Sequence, residues 1–180
     1  IYVFYALQPY LLGLYGDPGA YSIAGLAAAL VAGAQWVGGL LAARVARLFR
    51  RRTDAMILGA IAGVALLLGL GLARSFTMAV VMISAWALVG ALTSPIRQAL
   101  VNGLVPSAQR ATVLSFDSLM GSAGGVVTQP ALGGIADVLG YPASYLTSAV
   151  VSAVAIPFTF LARREQAPAD QRVDPGTRGG

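Results

Sequence analysis

Residues 18–52 read PGAYSIAGLAAALVAGAQWVGGLLAARVARLFRRR: 26 positions without a charged side chain, then five arginines within nine residues. A helix rises about 1.5 Å per residue, so the uncharged part can cross the ~30 Å of bilayer hydrocarbon. The arginines then stop it at a membrane surface. Outward from here, uncharged stretches of similar length recur at Ala55–Ala73, Ser75–Ile96, Ser118–Ala136 and Val138–Ala162. Ile1–Gly16 is uncharged too, but would span only about 24 Å as a helix. It reads as a first transmembrane helix short of an N-terminal turn or two, which marks the chain as an N-terminally truncated fragment.

Composition agrees. A hydrophobic fraction of 57%, a charged fraction of 11% and a mean hydropathy of +0.75 leave too little polar surface to cover a water-soluble globule of 180 residues. The solvent is therefore lipid. Cysteine and histidine are absent, which removes disulfides, thiolate nucleophiles and histidine metal sites, so neither a metal nor a catalytic constellation is expected. The net charge of +5 comes from arginines at helix ends and in the tail. It leaves no separate basic footprint for nucleic acid.

The expected fold is an all-α membrane protein, with six transmembrane helices over residues 1–164 and a disordered cytoplasmic tail over 165–180. Gly16-Asp17-Pro18-Gly19, Ala73-Arg74-Ser75 and Gly140-Tyr141-Pro142 supply turn chemistry. Thr53 or Asp54 is placed to cap the third helix. The fourth helix should start near Phe76 and end between Pro95 and Gly103; the fifth should run from Arg110 to about Gly134, and the sixth from about Ala143 to Leu161.

Alternate connections carry the charge. Arg44, Arg47, Arg50, Arg51 and Arg52 follow the second helix, Arg97 and Arg110 flank the connection after the fourth, and Arg163, Arg164, Arg172 and Arg178 follow the sixth. Only Arg74 falls on the opposite side. The positive-inside tendency makes the arginine-rich side cytoplasmic, the C terminus with it.

Three segments carry a family resemblance. Gly39-Leu40-Leu41-Ala42-Ala43-Arg44-Val45-Ala46-Arg47 resembles the G-x-L-A-D-R-x-G-R cytoplasmic loop motif of the major facilitator superfamily, with Ala43 in place of Asp and Ala46 in place of Gly. Gln129-Pro130-Ala131-Leu132-Gly133-Gly134 resembles the end of the G-P-x-x-G-G element of drug antiporters, with Gln129 at its Gly and on a different helix. Val105-Pro106 before Arg110-Ala111-Thr112, with Ala136-Asp137 and Gly140 further on, is similar to the family's tenth and eleventh helices. The resemblance implies helices seven to twelve of a twelve-helix transporter, folded as two inverted three-helix repeats. The other six-helix half is then an implied partner, beside the lipid bilayer.

The resemblance also implies that the first and fourth helices line a central pathway. On the first, Tyr5 and Gln8 share a face with Tyr15, and Pro9 can bend the helix there. On the fourth, Trp86, Gly90 and Thr93 share a face. Tyr5, Gln8, Gln35, Trp86 and Thr93 are thus candidate pathway residues, although Tyr and Trp also populate interfacial belts and Thr can bond its own backbone. The third helix has no polar side chain between Ala55 and Leu72. It is expected to face lipid and its neighbours.

Asp117 is the one acidic residue within an otherwise apolar span, which makes it a functional candidate by default. Two readings compete. It pairs with Arg97 or Arg110 as a lock or inside gate, or it carries a coupling proton with its pKa raised by burial. Gly121, Gly124, Gly125 and Pro130 on the fifth helix, and the Gly59-Ala60-Ile61-Ala62-Gly63 run on the third, suit close helix packing in lipid.

The expected function is secondary active transport of a small molecule by alternating access, as proton-coupled efflux, with protons as co-substrate and no cofactor. Uptake of a sugar-like metabolite and a non-transporting, self-pairing scaffold are the alternatives. A bacterial inner membrane is the expected location.

Overall fold

The computed structural model describes residues 2–165 and 167–171; of Tyr2 and Tyr5 it describes the backbone. It consists of α1 (Tyr2–Tyr5), α2 (Leu7–Tyr15), α3 (Tyr21–Ala46), α4 (Arg52–Gly71), α5 (Phe76–Leu104), α6 (Arg110–Leu139), α7 (Tyr141–Ala153) and α8 (Ala155–Arg164), with single 3-10 turns at Ser107–Gln109 and Pro168–Asp170. There is no strand among the described residues beyond an isolated bridge between Arg51 and Gln171. The fold is all-α.

Six helical passes result, because the first comprises α1 and α2 and the last α7 and α8. Both are interrupted by proline. Pro9 has no N–H for the Tyr5 carbonyl and Pro157 none for that of Ala153, and α1 and α7 end at those two residues. Pro95 and Pro130 sit inside α5 and α6 without ending them. Four passes are long and apolar enough to cross a membrane by themselves: α3, α4, α5 and the joined Tyr141–Arg164. The other two of the six expected passes fall short of that measure by themselves. The first pass is too short, and α6, although 30 residues long, is too rich in Gly, Ser and Thr.

Several boundaries differ from expectation. α5 runs through Pro95 to Leu104, and α6 continues past Gly134 to Leu139. α3 extends to Ala46, placing Arg44 in its last turn, where a cation suits the helix dipole.

The two ends of the bundle are built differently. Tyr10 Oη donates to the Leu70 carbonyl at 2.8 Å, and its ring packs against Tyr141 and Tyr145 with centroids 6.1 and 5.1 Å away. The main apolar core lies at this end, among Leu11, Leu67, Leu70, Ile83, Leu132 and Tyr145. Arg74 belongs to this end. At the other end Arg52 Nη1 donates to the Ala99 carbonyl (2.7 Å), Arg163 Nε pairs with Asp54 (2.8 Å), and Arg97 pairs with Asp117. The connections after α3, α5 and α8 therefore meet at one end, as the arginine pattern requires. There α6 diverges from the bundle, and none of its residues from Arg110 to Ala131 is buried.

Of the stretch expected to be a disordered tail, residues 167–171 are seated. Asp170 is 2% exposed, its Oδ1 accepting the Thr53 N–H and its Oδ2 the Thr53 hydroxyl, each at 2.8 Å. Ala169 packs against Gly103. Residues 172–180 of the expected tail lie outside the described residues. The first turn of α4 is thus capped from far along the chain; Thr53 and Asp54 do not cap it, because the N-cap position falls on Arg51. A carboxylate at a helix N-terminus satisfies N–H groups that the helix cannot. Asp170→Ala should therefore cost about 1–3 kcal/mol and speed hydrogen exchange selectively in the first turn of α4. Unchanged exchange there would mean that the seat contributes nothing.

Candidate functional site

Trp86, Thr93 and Arg97 line one face of α5, and the structure brings them into a single cavity of about 530 Å³ bounded by α4, α5, α7 and α8. The α4 wall comes from Met56, Gly59, Ala60, Gly63 and Val64. α4 offers no polar group, as its sequence requires, but its two glycines act as sockets. A Cβ on Gly59 would collide with the Thr93 methyl, and one on Gly63 would touch the Trp86 indole at 3.8 Å. These GxxxG glycines set how close α4 and α5 approach. The remaining wall is Ser152, Ala155 and Thr159. Sequence reasoning missed these three, although their spacing places them on one helical face.

Hydroxyl chemistry in the cavity is partly committed. Thr93 Oγ1 donates to the Val89 carbonyl at 2.9 Å and Thr159 Oγ1 to that of Ala155 at 2.9 Å, so each hydroxyl keeps acceptor capacity while its proton is used. Ser94 and Ser152 also line the space. Trp86 packs against Phe4 with the rings tilted and 5.5 Å between centroids, tying α1 to the cavity wall.

Arg97 pairs with Asp117, joining α5 to the diverging part of α6. Arg110 does not take that role: its Nη2 donates to the Val105 carbonyl at 3.5 Å, within its own connection. Both Arg97 and Asp117 remain solvent-accessible, with side chains 50% and 38% exposed. A pair so exposed is easily exchanged for other partners.

Gln8 and Gln35 lie elsewhere. Gln35 lines a hollow of about 440 Å³ and Gln8 an adjoining one of about 280 Å³, both between the first pass and α3, with Phe4, Leu7 and Ala28 common to the two. Phe4, which sequence reasoning passed over, touches these hollows and Trp86 alike. The side chain of Tyr5 lies outside the described residues.

The loop-motif residues Gly39 and Arg47 line a further cavity, between α3 and α5, while Arg44 is exposed in the last turn of α3. No other helix among the described residues packs on the α6 glycines: a Cβ on Gly121 or Gly124 would meet nothing within 4 Å, one on Gly125 would meet only Gln129 of the same helix, and Pro130 is exposed. The close approaches fall instead on Gly38, Gly59, Gly69 and Gly71. α6 diverges where Gly121, Gly124 and Gly125 lie, so no other helix among the described residues reaches them. Two further polar atoms, Ser84 Oγ and Asn102 Oδ1, are buried without a hydrogen-bond partner among the described residues.

A family model described as Major Facilitator Superfamily matches residues 1–179. No curated protein and no solved structure matches the chain.

Proposed function

The chain belongs to the major facilitator superfamily, a family of membrane transporters rather than enzymes, and from that premise we propose that it moves a small amphipathic molecule by alternating access, as proton-coupled efflux. The observation that carries this reading is the Arg97–Asp117 pair at the mouth of the cavity lined by Trp86 and Thr93. One end of the bundle is tightly packed and the other splayed, and this ion pair fastens the splayed helix. Arg97 lines the cavity and Asp117 belongs to the splayed helix, and a contact of that kind, breaking and re-forming as the helices move, acts as a gate. The arginine-rich end is assigned to the cytoplasm on the positive-inside tendency, in a bacterial inner membrane.

The exposed apolar side chains of α3 and α6, among them Trp36, Leu40, Phe116 and Leu119, are assigned to lipid and to a second six-helix half. The weakly charged, aromatic cavity suits an amphipathic solute better than a sugar. Its two threonine hydroxyls spend their protons on backbone carbonyls. Uptake of a sugar-like metabolite is the second reading, favoured by the four hydroxyl side chains in the lining.

Reconstitution into liposomes loaded with an amphipathic fluorescent dye separates the roles of Asp117. If the pair is a gate, Asp117→Asn and Arg97→Gln should each slow both gradient-driven transport and dye exchange without a gradient, by about ten-fold or more. If Asp117 carries the proton, Asp117→Asn should abolish the response to a pH gradient and leave exchange intact. Full activity of both variants under both conditions would remove the pair from the mechanism.

A further inference from the structure

We propose that residues 167–171 form a releasable strap, which holds the walls of the Trp86–Thr93 cavity together at the arginine-rich end and has to let go for them to part. The inference rests on the alternating-access reading for what that parting accomplishes. Just beyond each wall at this end lies a tie. Beyond Met56 on α4 is Thr53, whose N–H and hydroxyl both donate to Asp170. Beyond Thr159 on α8 is Arg163, paired with Asp54. Beyond Arg97 on α5 come Ala99, whose carbonyl accepts from Arg52, and Gly103, on which Ala169 sits.

Four consecutive residues at the start of α4 thus reach three different segments. Arg51 bridges Gln171 and Thr53 meets Asp170, while Arg52 is bonded to α5 and Asp54 to α8. The strap follows closely on α8 in sequence. Seating it on Thr53 and Gly103 therefore draws the end of α8 toward α4 and α5 together. Any parting of α5 from α4 at this end stretches the contact of Ala169 or of Asp170, because the strap touches both helices.

The seat is shaped for the strap yet small. A Cβ on Gly103 would stand 2.9 Å from that of Ala169, so the glycine is what admits the segment. Asp170 is buried and Ala169 half-buried, whereas Pro168 and Gln171 are exposed. A seat of five residues, held by one carboxylate, one small-residue contact and one bridge, lies at the low-cost end of local opening.

The chain has no cysteine, so introduced thiols can be labelled without removing others. Spin labels on Gln98→Cys of α5 and Leu161→Cys of α8, both exposed, report the separation of those walls by double electron–electron resonance on the full chain in nanodiscs. One narrow population is expected with the strap seated, and Asp170→Ala should add a second about 5 Å longer. Gly103→Leu displaces Ala169 while leaving Thr53 and Asp170 in place; it should do the same, and it decides if Asp170→Ala does not fold. A label pair on Tyr21→Cys and Leu139→Cys, at the opposite end, should not change. In a second arm, Gly103→Cys and Ala169→Cys are joined: a shift of about 1 Å brings their Cβ atoms to the separation a disulfide needs. Oxidation should slow dye movement in liposomes about ten-fold or more, and reduction should restore it. A single population in every variant, an equal change at the opposite end, or undiminished dye movement with the disulfide formed would each overturn the proposal. If the released variants show the longer population but the unsubstituted chain moves no dye, the strap stands and the transport reading falls.

Discussion

Tyr145→Ala is expected to be the most damaging single substitution in this chain, lowering stability by about 3–5 kcal/mol, the range for removing a buried aromatic ring. Tyr145 is 0% exposed, its hydroxyl donates to the Val3 carbonyl at 3.2 Å, and its ring lies 5.1 Å from that of Tyr10. It therefore ties the last pass to the first. Within a bilayer, burial from water contributes little to helix association, so the loss is one of packing and of a buried hydrogen bond. Tyr145→Phe keeps the packing and should cost only about 1 kcal/mol. Unfolding in mixed micelles, followed by far-UV circular dichroism, gives both numbers. Equal midpoints for the alanine and phenylalanine variants would mean that the ring does not hold this end together.

Gly38→Val should be the next most costly. A Cβ at Gly38 would stand 2.7 Å from the Leu88 carbonyl oxygen and 2.9 Å from the Ala91 Cβ. The first obstacle is backbone and cannot rotate away, so α3 and α5, the most extensively packed pair of helices, must separate. Overpacking of this kind costs about 1–3 kcal/mol, and the branched side chain places the variant at the upper end. Gly39→Val is the internal control, since a Cβ there meets nothing within 4 Å. Thermal unfolding in detergent should separate the two neighbours by several degrees. If they unfold together, the α3–α5 contact is looser than the structure shows.

That pair of neighbours also shows where sequence reading stops. The motif drew attention to Gly39, but the close contact belongs to Gly38, because only the position of α5 decides which of two adjacent glycines is covered. The α6 glycines raise the same issue: their clustering suits packing, but a cluster cannot say which helix is to meet it. What was legible is local. Uncharged runs, Gly/Pro turns and the alternation of arginine placed six passes and sorted their ends, and helical spacing put Trp86 and Thr93 on one face of α5. What was not legible depends on contacts across the fold. The capping of Thr53 by Asp170 joins residues 117 positions apart, and the separation of Gln8 and Gln35 from Trp86 depends on where Phe4 lies between them. Proline was half legible: Pro9 signalled the interruption of the first pass, while Pro157, which does the same to the last, was overlooked.

The modest hydropathy of α6 bears on how the polypeptide is made. A segment containing Arg110, Asp117, Asp137 and many glycines partitions poorly when presented alone to the insertion machinery, whereas the Tyr141–Arg164 pass that follows it partitions well. The two are joined by a single residue, Gly140. Insertion of this region should therefore proceed as a hairpin, the later strong segment carrying the earlier weak one into the bilayer.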